Sequence, residues 1–71
     1  MIAQKVTSIN NEVEKVEFIS MRRLFNDFQY YSTNANYDLI INNNGFTLNN
    51  SKSGIIYSYE IINKKMSDII L

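Results

Sequence analysis

Residues 37–48 read Tyr37-Asp38-Leu39-Ile40-Ile41-Asn42-Asn43-Asn44-Gly45-Phe46-Thr47-Leu48, two short β-prone runs joined by three asparagines and a glycine. Asn-Gly ahead of an alternating segment is a strong hairpin signal, because both residues tolerate the positive φ that a tight turn demands. We therefore expect a strand over 37–41, a turn over 42–45 with Gly45 and Asn44 at positive φ, and a returning strand over 46–48. A hairpin at the centre of a short chain must bury one of its faces, so the rest of the sequence has to supply what covers it.

Downstream, residues 49–54 are a second turn-rich connection. Ile55, Tyr57, Tyr59 and Ile61 then alternate as a strand would, while Ile55, Tyr59, Ile62, Met66 and Ile69 also form a helical stripe spaced 4, 3, 4, 3. The β-branched and aromatic content of 55–62 favours a third strand, followed by a short helical turn over 65–71. A single C-terminal helix is the alternative.

Upstream, Ile2, Val6, Ile9, Val13 and Val16 are again spaced 4, 3, 4, 3, the seam of a helix packed on a partner. A second stripe follows at Met21, Leu24, Phe25, Phe28 and Tyr31. Together they predict a helix over 12–31 with Leu24, Phe25 and Phe28 buried. Residues 2–9 are poor helix material, since β-branched side chains lose χ1 freedom and Asn10-Asn11 prefers caps and turns, so a strand is open there. A variant makes 13–19 a strand and Ser20 the N-cap of a shorter helix. Either way the class is α+β, with one main helix packed on a small antiparallel β-meander, a possible short C-terminal helix, and a single domain over 1–71.

Composition limits the chemistry. Eleven Ile and eleven Asn stand among 71 residues, with no Cys, His, Trp or Pro. Ile, Asn, Lys, Tyr, Phe and Met, the residues with AT-rich codons, fill 39 positions, so the composition reports a genome before it reports a mechanism. Without His there is no side chain that titrates naturally near neutral pH, and without Cys no thiolate nucleophile or soft metal ligand. Glu12, Glu14 and Glu17 are the densest carboxylates and read as a solvated face. Ser51-Lys52-Ser53 reads as a solvated loop. We expect no enzyme, no cofactor and no metal site.

Seven basic and seven acidic residues give zero formal charge, so no global field draws the chain to nucleic acid or to an anionic membrane. Its longest apolar runs are three residues, against about 20 for a membrane helix, and residues 1–20 lack the apolar run of a signal peptide. These features point to a cytoplasmic protein that does not enter membranes.

A chain of this size buries only about 60% of its unfolded surface. Small domains compensate with disulfides, metals or self-association, and the missing Cys and His leave the last. The leading expectation is a small non-enzymatic protein–protein interaction module. It would be a regulator or inhibitor from a compact AT-rich genome such as that of a phage, binding a protein partner or itself as a homodimer. Ile2, Val6, Ile9, Ile62, Met66 and Ile69 are the candidate partner-binding residues. The alternative is a small nucleic-acid-binding protein using Arg22, Arg23, Tyr30 and Tyr31, since arginines beside stacking aromatics hold single strands. A structural subunit of a larger assembly is the third reading.

Overall fold

The computed structural model describes residues 1–62. In chain order they form β1 (Ile2–Ile9), β2 (Glu12–Ser20), α1 (Met21–Ser32), β3 (Asp38–Asn42), β4 (Gly45–Asn50) and β5 (Ile55–Ile62). The five strands make one antiparallel sheet in the order β2-β1-β5-β4-β3, with α1 laid on one side. Among the described residues the fold is α+β, one helix on an antiparallel sheet. The central hairpin and the third strand over 55–62 stand where the sequence put them. The helical turn expected over 65–71 lies outside the described residues.

The helix expected over 12–31 is corrected. Its first half is β2, and only the second half is helical. The reason is a helical period produced by a hairpin. Asn10 and Asn11 both hold positive φ (52° and 69°) and form a two-residue turn between the paired Ile9 and Glu12. Positive φ at both central positions matches the twist of the flanking strands, and asparagine is one of the few residues that accept it. The fold-back sets Val6 opposite Val16. A bulge that leaves Glu14 unpaired then sets Val13 opposite Ser8. Ile2, Val6, Val13 and Val16 thus share a face across two strands, although their spacing along the chain mimics one helix.

Ser20 is where the strand becomes a helix. Its backbone is extended (φ −70°, ψ 159°), and its hydroxyl accepts a 3.1 Å hydrogen bond from the Arg23 amide, satisfying one of the orphan donors of the first turn.

The turn over 42–45 stands, but the positive φ expected in it is corrected. Its two loop residues are Asn43 and Asn44, and neither they nor Gly45 adopts positive φ. The turn is closed instead by side-chain chemistry: the Asn42 Oδ1 accepts from the Asn44 amide at 3.1 Å, an Asx turn. Gly45 answers a different need. It opens β4 where the neighbouring strand passes so close that a Cβ would fall on the Tyr59 carbonyl oxygen. The glycine with positive φ is Gly54 (75°), in the connection from β4 to β5. There the Gly54 carbonyl accepts from the Asn10 amide at 3.0 Å, so two turns are tied together at one end of the sheet.

The core lies between α1 and the sheet. Ala3, Ile19, Leu24, Phe46, Leu48 and Tyr59 form its buried cluster, with Met21, Phe28, Tyr31, Tyr37, Leu39, Tyr57 and Ile61 packed around it. Phe28 meets Phe46 edge-on at 5.0 Å, and Phe46 stacks on Tyr59 at 4.4 Å. The expected burial of Leu24 holds, and Phe28 is half-buried, but Phe25 is 60% exposed. Leu24, Phe28 and Tyr31 face the sheet at helical spacing, and the inward position between them belongs to Asp27, which leaves Phe25 on the outer flank.

Candidate interaction surface

Strand alternation gives the sheet two chemically different sides. The side under α1 carries Ala3, Lys5, Ile19, Phe46, Leu48, Tyr57 and Tyr59. It also holds a polar network that the sequence reading missed. Lys5 is buried, and its Nζ lies 3.3 Å from the Asp27 Oδ2. The same oxygen accepts a 2.7 Å hydrogen bond from the Tyr59 hydroxyl. The Lys5 ammonium also sits 4.6 Å from the centre of the Tyr57 ring and 5.4 Å from that of Tyr59, so ring faces replace part of its lost hydration. Arg23 approaches the other Asp27 oxygen at 3.7 Å.

Beside this network Tyr31, Tyr37 and Tyr57 pack ring against ring at 4.9–5.9 Å. Burial, then the neighbouring Tyr31 and Tyr37 phenols, push the Tyr57 hydroxyl up to about 12. Burial and the hydrogen bond to Asp27 push Tyr59 higher still, and burial raises Tyr31. The signals in sequence were slight. Asp27 falls inside an apolar helical stripe, and Lys5 occupies an alternating strand position, but nothing in the chain pairs them. No buried side-chain nitrogen or oxygen among the described residues lacks a partner, and no enclosed pocket adjoins the network. Its evident job is to join helix to sheet.

The other side of the sheet has no described element on it. Register sorts its side chains into rows that cross all five strands. The central row is Ile40, Thr47, Ser58, Val6 and Val16. One flanking row runs from Asn42 through Gly45, Glu60 and Gln4 to Phe18. The other runs from Asp38 through Asn49, Ile56 and Ser8 to Val13. Val13 (65%), Val16 (49%), Phe18 (41%) and Ile40 (57%) are large apolar side chains held open to solvent. With Val6 and Ile56 they make an apolar surface concentrated over β2, β1 and β5. None of its positions is Lys or Arg.

Among the candidate partner-binding residues, Ile2, Val6 and Ile62 are on this open side, where Ile2 pairs with Ile62 and Val6 with Ser58. Ile2 is buried, whereas Val6 and Ile62 are half-buried. Ile9 belongs to the helix side, at the exposed end of β1. Met66 and Ile69 lie outside the described residues. Sequence reasoning missed Val13 and Val16 as surface because it assigned them to a helical seam, and Phe18 because its strand was not the main reading.

The residues of the nucleic-acid alternative all stand on α1, where the Tyr30 and Tyr31 rings meet edge-on at 4.8 Å. Arg22 and Tyr30 are exposed on α1, but Arg23 reaches toward Asp27, and Tyr31 is drawn into the tyrosine cluster. Glu12, Glu14 and Glu17, the densest carboxylates, are on β2, where Glu17 pairs with Lys15 at 3.4 Å. Among the described residues no helix is long and apolar enough to cross a membrane, and no group of three or more His, Cys, Asp or Glu stands where it could hold a metal ion.

Comparison with protein-family profiles, with curated proteins and with solved structures finds no match, so the reading of function rests on this geometry.

Proposed function

We propose that this chain is a small non-enzymatic interaction module that acts by presenting its open sheet face to a protein, as a regulator or inhibitor of the kind a compact AT-rich genome carries. One observation carries the reading. Val13, Val16, Phe18 and Ile40 stand exposed on a sheet whose opposite side is fully furnished with a core. Antiparallel sheets with one wet face usually alternate apolar-in and polar-out, and an apolar patch kept on the outer face marks a contact site. The test is crosslinking in host lysate with the full chain and with Val16→Lys. Loss of the crosslinked protein in the variant, at unchanged circular dichroism, supports the reading. Equal capture by both chains refutes it. Capture that survives 0.5 M salt separates it from phosphate-driven binding, which weakens steeply with ionic strength.

A further inference from the structure

We propose that Asn44 is a self-acting modification site, at which the chain converts its own asparagine to aspartate and isoaspartate and so loosens β4 from β5. The inference goes beyond the docking reading and does not depend on what meets the open face.

Sequence and exposure single out the position. Asn44 is the one asparagine among eleven that a glycine follows. The side-chain amide carbon of an asparagine is open to attack by the main-chain nitrogen of the next residue, and a glycine there has no Cβ to obstruct the approach. Asn44 is exposed at the hairpin tip, and Asn42 with Gly45 is the last pair of the β3–β4 ladder. End pairs of this kind open locally at little free energy, which releases the Gly45 amide for reaction.

The asparagines whose followers are next in size, Asn34 before Ala35 and Asn50 before Ser51, are held. The Asn34 Oδ1 accepts from the Asn36 amide at 3.0 Å, and the Asn50 Oδ1 accepts from the Lys52 and Ser53 amides at 3.1 and 3.2 Å. Asn44 uses its main-chain amide to close the Asx turn on Asn42, and among the described residues its carboxamide makes no hydrogen bond.

The sheet also activates the nucleophile. Once the Gly45 amide loses its proton, the negative charge spreads onto the Asn44 carbonyl oxygen. The Ile61 N–H donates to that oxygen at 2.6 Å, a fixed donor aimed where charge develops. The Gly45 nitrogen then bonds to the Asn44 Cγ, the Cγ–Nδ2 bond breaks, and the displaced proton leaves on ammonia. Water adds to either carbonyl of the resulting succinimide and opens it to aspartate or isoaspartate. No electron is transferred, and water is the only co-reactant.

Both products bring a carboxylate to a chain of zero formal charge, beside Glu60, the β5 partner of Gly45. Isoaspartate does more. Its main chain runs through Cγ, so the carbonyl that accepted from Ile61 becomes a carboxylate outside the backbone. β4 gains a methylene where Gly45 already lies so close to β5 that a Cβ would fall on the Tyr59 carbonyl oxygen.

The test incubates the full chain in mildly alkaline buffer, folded and in urea, beside Asn44→Gln, whose larger ring closes far more slowly. Tandem mass spectrometry locates each asparagine that has exchanged its amide for a carboxyl, and electron-transfer fragmentation separates aspartate from isoaspartate. In the folded parent, Asn44 should change before any other asparagine, with ammonia released in equal amount. Isoelectric focusing should show a new acidic band that Asn44→Gln lacks. The isoaspartyl fraction, isolated by anion exchange, should melt below both the parent and Asn44→Asp, which carries the same charge on an unaltered main chain. A folded parent whose Asn44 stays intact while the urea-unfolded chain is modified overturns the proposal, as does earlier loss at another asparagine. An isoaspartyl fraction that melts with Asn44→Asp overturns the loosening of β4.

Discussion

The residue that organises this molecule is Asp27. It accepts from Tyr59 and pairs with the buried Lys5, so removing its carboxylate strands a cation between helix and sheet. Breaking a buried pair by deleting one partner costs about 3–5 kcal/mol, and Asp27→Ala should lower Tm by well over 10 °C in a chain where 1 kcal/mol moves it about 4–8 °C. Lys5→Met in the same background should recover part of the loss, because the uncompensated charge goes with it. Thermal melts of the single and double variants decide this, and a double variant no more stable than Asp27→Ala would remove Lys5 from the account. The tyrosines give the fold a pH limit. A phenol whose folded pKa lies above its unfolded value, as Tyr57 does at about 12 against 10.0, leaves the folded state holding more protons than the coil between those values. Stability then falls as pH rises. The contribution is complete below pH 10 and lost toward pH 12. Tm should drop across that window, and less steeply in Tyr57→Phe, as melts in alkaline buffers will measure. None of this network was legible in sequence, since Lys5, Asp27 and Tyr59 are far apart in the chain and only topology brings them together.

Among the elements, the legible ones were those whose signal is local. The strand over 55–62 showed in its own alternation and β-branched content, and Ser20 showed as a possible cap because serine before a one-faced run has a known physical use. β2 was obscured because Val13 and Val16 continue a helical spacing begun by Ile2 and Val6, and the turn and bulge that create the spacing become visible only once the strands are paired. Asn10-Asn11 was the available clue, and it was read as disfavouring a helix when it marks a hairpin. Two predictions belong here. Ser20→Ala should cost about 1 kcal/mol by leaving the Arg23 amide without its acceptor, and Ser20→Asp should retain most of the stability, as urea midpoints would register. At the turn, Asn11 holds φ at 69°. A β-branched residue there should cost about 1–2 kcal/mol, while Asn11→Gly should lose nothing. If Asn11→Val and Asn11→Gly unfold at the same urea concentration, the left-handed turn is not what aligns β1 with β2.

At the scale of the whole molecule, the first strand in sequence is interior to the sheet. β1 lies between β2 and β5, so the two ends of the described chain close the fold together, and β2 with α1 connects to β3, β4 and β5 through it. It also carries Ala3, fully buried beneath the helix, and Lys5 of the polar network. A 71-residue chain has a thin margin, on the order of 0.05–0.15 kcal/mol per residue, and cannot lose a central strand and keep the remainder. Deleting residues 2–9 should therefore abolish the cooperative transition entirely. Weakening the opposite edge with Ile40→Thr on β3 should leave it intact, because Ile40 is more than half exposed at the sheet margin. Far-UV circular dichroism against temperature, with amide dispersion in a proton–nitrogen correlation spectrum, distinguishes the two cases. A truncated chain that still melts in a single sharp transition would mean that α1 and the hairpin of β3 and β4 form a folding unit of their own, and that β1 joins the sheet without being required for it.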